Sequence, residues 1–198
     1  MSFRDFKFPA VVDDLKLGYQ EDHLFPNLAP VEISPDLVRR VTEGLELAQG
    51  LNCEKGRSEF VIAPFLFELW TSSGNTFGLF SGYELSIDSE RGLNGVCDFL
   101  LSRGHFLYLL RAPVLAVVEA KNDNVNNGFG QCIATMLAAR MFNEKAGREG
   151  PVYGLSTTGV QWKFFRLDGD VLTLDRADFN FPGDIGLVAA ALLRIVAG

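Results

Sequence analysis

Histidine and cysteine are scarce in this chain: two histidines and three cysteines in 198 residues. Cys53, Cys97 and Cys132 are odd in number and widely spaced, which fits neither a disulfide framework nor a zinc site and points to a reducing, cytoplasmic setting. No apolar run reaches the ~18 residues of a membrane span. The opening MSFRDFKFPAVVDD lacks the apolar block of a secretory signal. Basic residues are also short, 18 against 25 acidic ones, for a formal net charge of −7. That balance excludes broad nonspecific nucleic-acid binding, which needs many Lys and Arg contacts to phosphates, but leaves room for a local patch or a carboxylate-held cation. The G-x-x-x-x-G-K-[ST] loop, H-E-x-x-H, paired C-x-x-C and G-x-S-x-G are all missing.

What is present is 47% apolar residues, enough for one globular domain with a real core over 1–198. Residues 1–33, with three prolines, read as an irregular arm on its surface. SPDLVRRVTEGLELAQG predicts a first helix, with Ser34 as N-cap, Pro35 at the first helical position and Gly50 at the stop. RSEFVIAPFLFELW predicts a second, buried helix, capped by Ser58 and bent at Pro64. TSSGNTFGLFSG reads as a loop. Strands are expected at YELSIDS, NGVCDFLLS, HFLYLL and VLAVVEA. FGQCIATMLAARMFNEKAG is then helix, PVYGLST, VQWKFFRL and DVLTLDR form an antiparallel set, and 183–197 is a C-terminal helix. Helix, strands, helix and strands in that order imply a mixed α/β sheet with helices packed on it.

With His105 expected to be packed or satisfied in its apolar strand and Cys97 and Cys132 in apolar contexts, the chemistry falls to carboxylates with one lysine and one glutamine. Glu119 and Lys121 end the apolar strand VLAVVEA two positions apart, so both project from one face with Val117 and Leu115. Asp98 interrupts the apolar run of the preceding strand, where a buried charge is costly unless paired or metal-bound. Adjacent strands would bring Asp98 to cross-strand distance from Glu119, and a divalent cation would convert their repulsion into binding. The tripeptide alone is weak, since Asp14-Leu15-Lys16 repeats it with no strand before it. The bland readings are a solvated strand end for Glu119 and Lys121, and an internal ion pair to Arg103 or Lys121 for Asp98. Lys163, Arg166 and the short basic stretch Arg140, Lys145 and Arg148 could reach phosphate or be ordinary solvated charge.

Asp98 in NGVCDFLLS, Glu119 and Lys121 in PVLAVVEAK, and Gln131 in GFGQCIATMLAA together resemble the PD-(D/E)XK nuclease superfamily, of restriction-endonuclease-like fold. Family members commonly add a glutamate from the helix before the sheet, and Glu59 stands in that place. The RSEFVIAPFLFELW segment is similar to the start of the N-terminal nuclease module of type I restriction motor subunits, and the likeness spans residues 57–167. The resemblance implies a restriction-endonuclease-like mixed central sheet flanked by helices, and a Mg2+- or Mn2+-dependent endonuclease. Asp98, Glu119 and the Ala120 backbone carbonyl would hold the metal, and Glu59 would help through a metal-bound water. Lys121 would orient the attacking water and stabilise developing charge, and Gln131 would bond the phosphate or the water. DNA, or RNA, cut to 5′-phosphate and 3′-hydroxyl ends would be the substrate, with no membrane partner and homodimerisation left open. The alternatives are a nuclease-fold module that binds nucleic acid or assembles without cutting, and an enzyme of another class with these residues in a closed pocket.

Overall fold

The computed structural model describes residues 1–105 and 108–198. Among these residues eight strands form one mixed sheet: β1 (Gly18–Asp22), β2 (Phe77–Asp88), β3 (Leu93–Arg103), β4 (Val114–Ala120), β5 (Val152–Thr157), β6 (Gln161–Asp168), β7 (Val171–Asp175) and β8 (Phe179–Asn180). The spatial order is β1-β7-β6-β5-β4-β3-β2, with β8 also on β6. The β4–β5 and β1–β7 pairs are parallel and the rest antiparallel. The chain is thus a mixed α/β protein with helices on both sheet faces.

One face packs against α2 (Pro35–Leu51), α4 (Ala63–Ser72) and α6 (Ile185–Ala197), through side chains such as Leu37, Phe65, Trp162, Phe164 and Leu192. The other packs against α5 (Phe129–Lys145) and the N-terminal segment, through Phe3, Phe6, Val11, Ile133, Met136 and Phe165. Of the expected irregular arm over 1–33, residues 23–33 are irregular and partly exposed, but the part up to Asp22 is built into the fold. A 3-10 turn over Phe3–Asp5 and the short helix α1 (Ala10–Asp14) bury apolar side chains, and β1 extends the sheet beyond β7. Helix α5 is buried on every side from Phe129 to Ala139, so its sequence shows almost no polar face. No helix among the described residues is long and apolar enough to cross a membrane.

Several boundaries differ from expectation for local physical reasons. Ser34 caps α2 as predicted, accepting from the Leu37 amide at 3.1 Å, but the helix runs through Gly50 and stops at Asn52, whose φ of 47° is left-handed. Ser58 is no cap: the next helix starts at α3 (Glu54–Arg57), where the Cys53 thiol accepts from the Gly56 amide at 3.3 Å. It then widens into a π turn over Ser58–Ile62 before α4, with the Ala63 amide reaching back five residues to the Ser58 carbonyl. Pro64 has no N–H for the Phe60 carbonyl, and the widened turn absorbs that loss. The same carbonyl lies against Gly44 of α2, where a Cβ would stand 2.1 Å from it.

The expected loop at 71–82 is mostly structured: α4 continues to Ser72 and β2 begins at Phe77, whose Phe-Gly-Leu-Phe start is masked in sequence by flanking Ser and Gly. In the expected strand at 105–110, Phe106 and Leu107 lie outside the described residues, and His105, Tyr108, Leu109 and Leu110 are in no strand. His105 is exposed, stacked on Trp70 at 6.3 Å and bonded through Nδ1 to the Asn75 carbonyl at 2.7 Å.

Candidate metal centre

The β3–β4 register pairs Phe99 with Val118 and Leu100 with Val117, then slips so that Leu101 meets Ala116 and Ser102 meets Val114. Leu115 is the extra residue at this bulge and packs on the opposite face from Val117, contrary to strict alternation. Asn143 of α5 closes the bulge, its side chain bonding both the amide and the carbonyl of Val114 at 2.7 and 2.8 Å. At the other end of β4 the pairing with β3 stops at Val118, one residue before Glu119. There the Asp98 carboxylate accepts from the Ala120 amide at 2.8 Å, occupying a donor that no longer has a strand partner. On the other side β4 stays parallel to β5, and the Lys121 amide donates to the Thr157 carbonyl at 2.8 Å. The strand end is fixed from both flanks, and so are the side chains it carries.

Glu119 is buried, 3% exposed. Its Oε1 takes the Lys121 ammonium at 2.6 Å, and the same Nζ lies 3.2 Å from Glu54 Oε2. Carboxylate oxygens of Glu54, Asp98 and Glu119 all lie within 4.8 Å of one another. Ligand oxygens around one small divalent ion are about 3 to 4.2 Å apart, which is the scale of this cluster. Burial pushes the Glu119 carboxyl well above its ordinary range, and the Asp98 charge adds to that. Burial likewise raises Asp98, against the opposing pull of the Ala120 amide and Lys121. For Lys121 burial works against the charge, but Glu119 and Glu54 outweigh it and keep the ammonium protonated. Three carboxylates facing one lysine leave an excess of negative charge in a partly desolvated place. Hard oxygen donors in that arrangement fit Mg2+ or Mn2+.

Of the residues selected from sequence, Asp98, Glu119 and Lys121 come together, and the Ala120 backbone lies between them. Gln131 lies in the first turn of α5, buried; its side chain makes no hydrogen bond to the carboxylates or Lys121 among the described residues. Glu59 does not join them: it is half-exposed on the π turn and pairs with Lys55 at 2.8 Å. Glu54, at the first position of α3, supplies the third carboxylate instead. The signal for it was the end of α2 at Asn52 followed two residues later by an acid, obscured because the cysteine between them is an uncommon cap. The cations considered for phosphate contact are largely engaged. Lys163 pairs with Asp178 at 2.7 Å, Arg166 with Asp168, and Arg140 with Glu144 and Asp170.

Gly128, just before α5, makes room for the lysine: a Cβ there would lie 2.2 Å from Ser156 Oγ and 3.0 Å from Lys121 Cγ. Neither of the two clefts described, of about 1040 and 320 Å3, is lined by the carboxylates. Comparison with known protein families, with curated proteins and with solved structures finds no match for this chain.

Proposed function

We propose that the protein is a metal-dependent phosphodiesterase acting on DNA, with the restriction-endonuclease-like arrangement and the PD-(D/E)XK motif that its sequence resembles. One observation carries this reading: Asp98, Glu119 and Glu54 converge on one point with the Lys121 ammonium beside it. Asp98, Glu119 and Glu54 would hold Mg2+ or Mn2+, with the Ala120 carbonyl alongside. When bound, such an ion acidifies a water and neutralises charge on the scissile phosphate. Lys121, kept charged by two carboxylates, orients the attacking water and offsets negative charge as the phosphorus becomes five-coordinate. Gln131, in the first turn of α5, would bond the phosphate or the water, as the resemblance implies.

Supercoiled plasmid incubated with the protein and Mn2+ should be nicked, and Asp98→Ala and Lys121→Ala should each lower the rate at least ~100-fold. Glu54→Ala should impair cutting, whereas Glu59→Ala should leave the rate within about twofold. Nicking that persists in the Asp98 and Lys121 variants overturns the proposal. A second reading, a nuclease-like module that assembles without cutting, draws on the engagement of Lys163, Arg166 and Arg140 in ion pairs, which leaves few cations for a DNA backbone. Calorimetric Mn2+ binding that disappears in Glu119→Ala counts against it.

A further inference from the structure

The largest described cleft lies at the opposite end of the sheet from the carboxylates, where β4 and β5 begin and α6 ends. Leu115 on its floor is four residues from Glu119 along β4, about 13 Å of strand. Its volume of about 1040 Å3 is at the upper end of the small-molecule range. Part of the floor is apolar, where Leu24, Leu115 and Ile195 line it, beside an aromatic wall where Phe25 stacks on Tyr153 at 6.1 Å and 28°. Around it stand Arg103 of β3, Arg148 of the loop after α5 and Arg194 of α6, against a single acid among the described residues, Glu149. Among the described residues no Asp or Glu carboxylate is within ion-pair distance of these three guanidinium groups, although acids outnumber bases 25 to 18 in the chain; Arg103 does donate to the Gly198 backbone oxygen at 3.3 Å. An acidic protein has here reversed its charge locally over a partly apolar floor and an aromatic wall.

We propose that this cleft binds a nucleoside polyphosphate, the phosphates on Arg103, Arg148 and Arg194 and the base against the Phe25–Tyr153 wall. Guanidinium groups match phosphate oxygens bidentately and stay charged at any physiological pH. An inorganic anion would have no use for the apolar floor, and an uncharged apolar ligand none for three arginines. A planar, polyanionic ligand uses both.

The test is calorimetric titration of the full chain with ATP in EDTA, so that no divalent ion bridges ATP to the carboxylates. Binding in the micromolar range is expected, with Kd about 1–100 μM. The double variant Arg148→Ala/Arg194→Ala, altering exposed side chains, should weaken it at least ~10-fold. Asp98→Ala should bind ATP as the parent does, which separates this site from the proposed metal centre. Pyrophosphate should bind at least ~10-fold more weakly than ATP. Absence of ATP binding at millimolar concentration, equal affinity for pyrophosphate, or undiminished binding by the arginine variant would each overturn the proposal.

Discussion

Asp98 and Glu119 are held where their charged forms are disfavoured, and that has a measurable sign. Both pKa values are raised above the ordinary 3.8 and 4.5, so the folded protein binds more protons than the unfolded chain in the range above those values. Their contribution to stability is then fullest below the unfolded pKa and declines as pH rises. As pH rises above those ordinary values, metal-free protein should lose thermal stability relative to the double variant Asp98→Asn/Glu119→Gln. Mn2+ binds the deprotonated carboxylates and should reverse that slope in the parent alone. Melting temperatures of both proteins across this range, in EDTA and in Mn2+, decide the matter; parallel metal-free profiles would refute it. Asp175, another buried carboxylate with a raised pKa, is common to both proteins and cancels in the comparison. At this scale the sequence was informative about Asp98, Glu119 and Lys121, because a charge inside an apolar strand is anomalous wherever it occurs. Glu54 and Glu59 could not be told apart that way. Both are acids in the first turns of a helix, and only the cap at Cys53 and the π turn decide which one faces the sheet.

Helices and strands present the site through close backbone approaches, and glycines mark them. Gly128 lets the turn before α5 pass over Lys121 and Ser156. Gly128→Ala should therefore lower stability, since the methyl group must displace the buried Ser156 hydroxyl, and should also lower any metal-dependent cutting, since it presses on Lys121. Gly50, inside α2, meets nothing within 4 Å of a built Cβ, so Gly50→Ala should raise stability by up to ~1 kcal/mol. Urea unfolding of the two variants beside their plasmid-nicking rates provides the contrast. Undiminished nicking by Gly128→Ala would remove the positioning argument. Most elements were readable from periodicity, and VLAVVEA matches β4 residue for residue. The failures cluster where local pattern and tertiary need diverge. The start of β2 looked like a loop because its glycines and serines outweighed its alternation, and the bulge at Leu115 has no sequence signature.

Over the whole molecule the sheet is covered on both faces, and the N-terminal segment contributes to one of them as fully as a helix would. Phe3 is 1% exposed and rests on Gly95 of β3, three residues before Asp98. Phe3→Ala should cost roughly 3–5 kcal/mol in denaturant unfolding, the range for a large buried aromatic. A loss below about 1 kcal/mol would mean the segment is merely draped on the sheet. Sequence reading missed this because three prolines and scattered phenylalanines have no periodicity, and burial there is set by the sheet they land on.

The parallel pairing of β1 with β7 also sets an order in time. Gly18 aligns with Val171, so roughly 150 residues separate the two halves of that ladder. At about 5–20 residues per second, a ribosome delivers β7 on the order of ten seconds after β1 has emerged. Through that interval β1 has no strand to join, and such distant pairings are the slow ones to form. The far edge of the sheet is therefore among the last parts of the nascent protein to close.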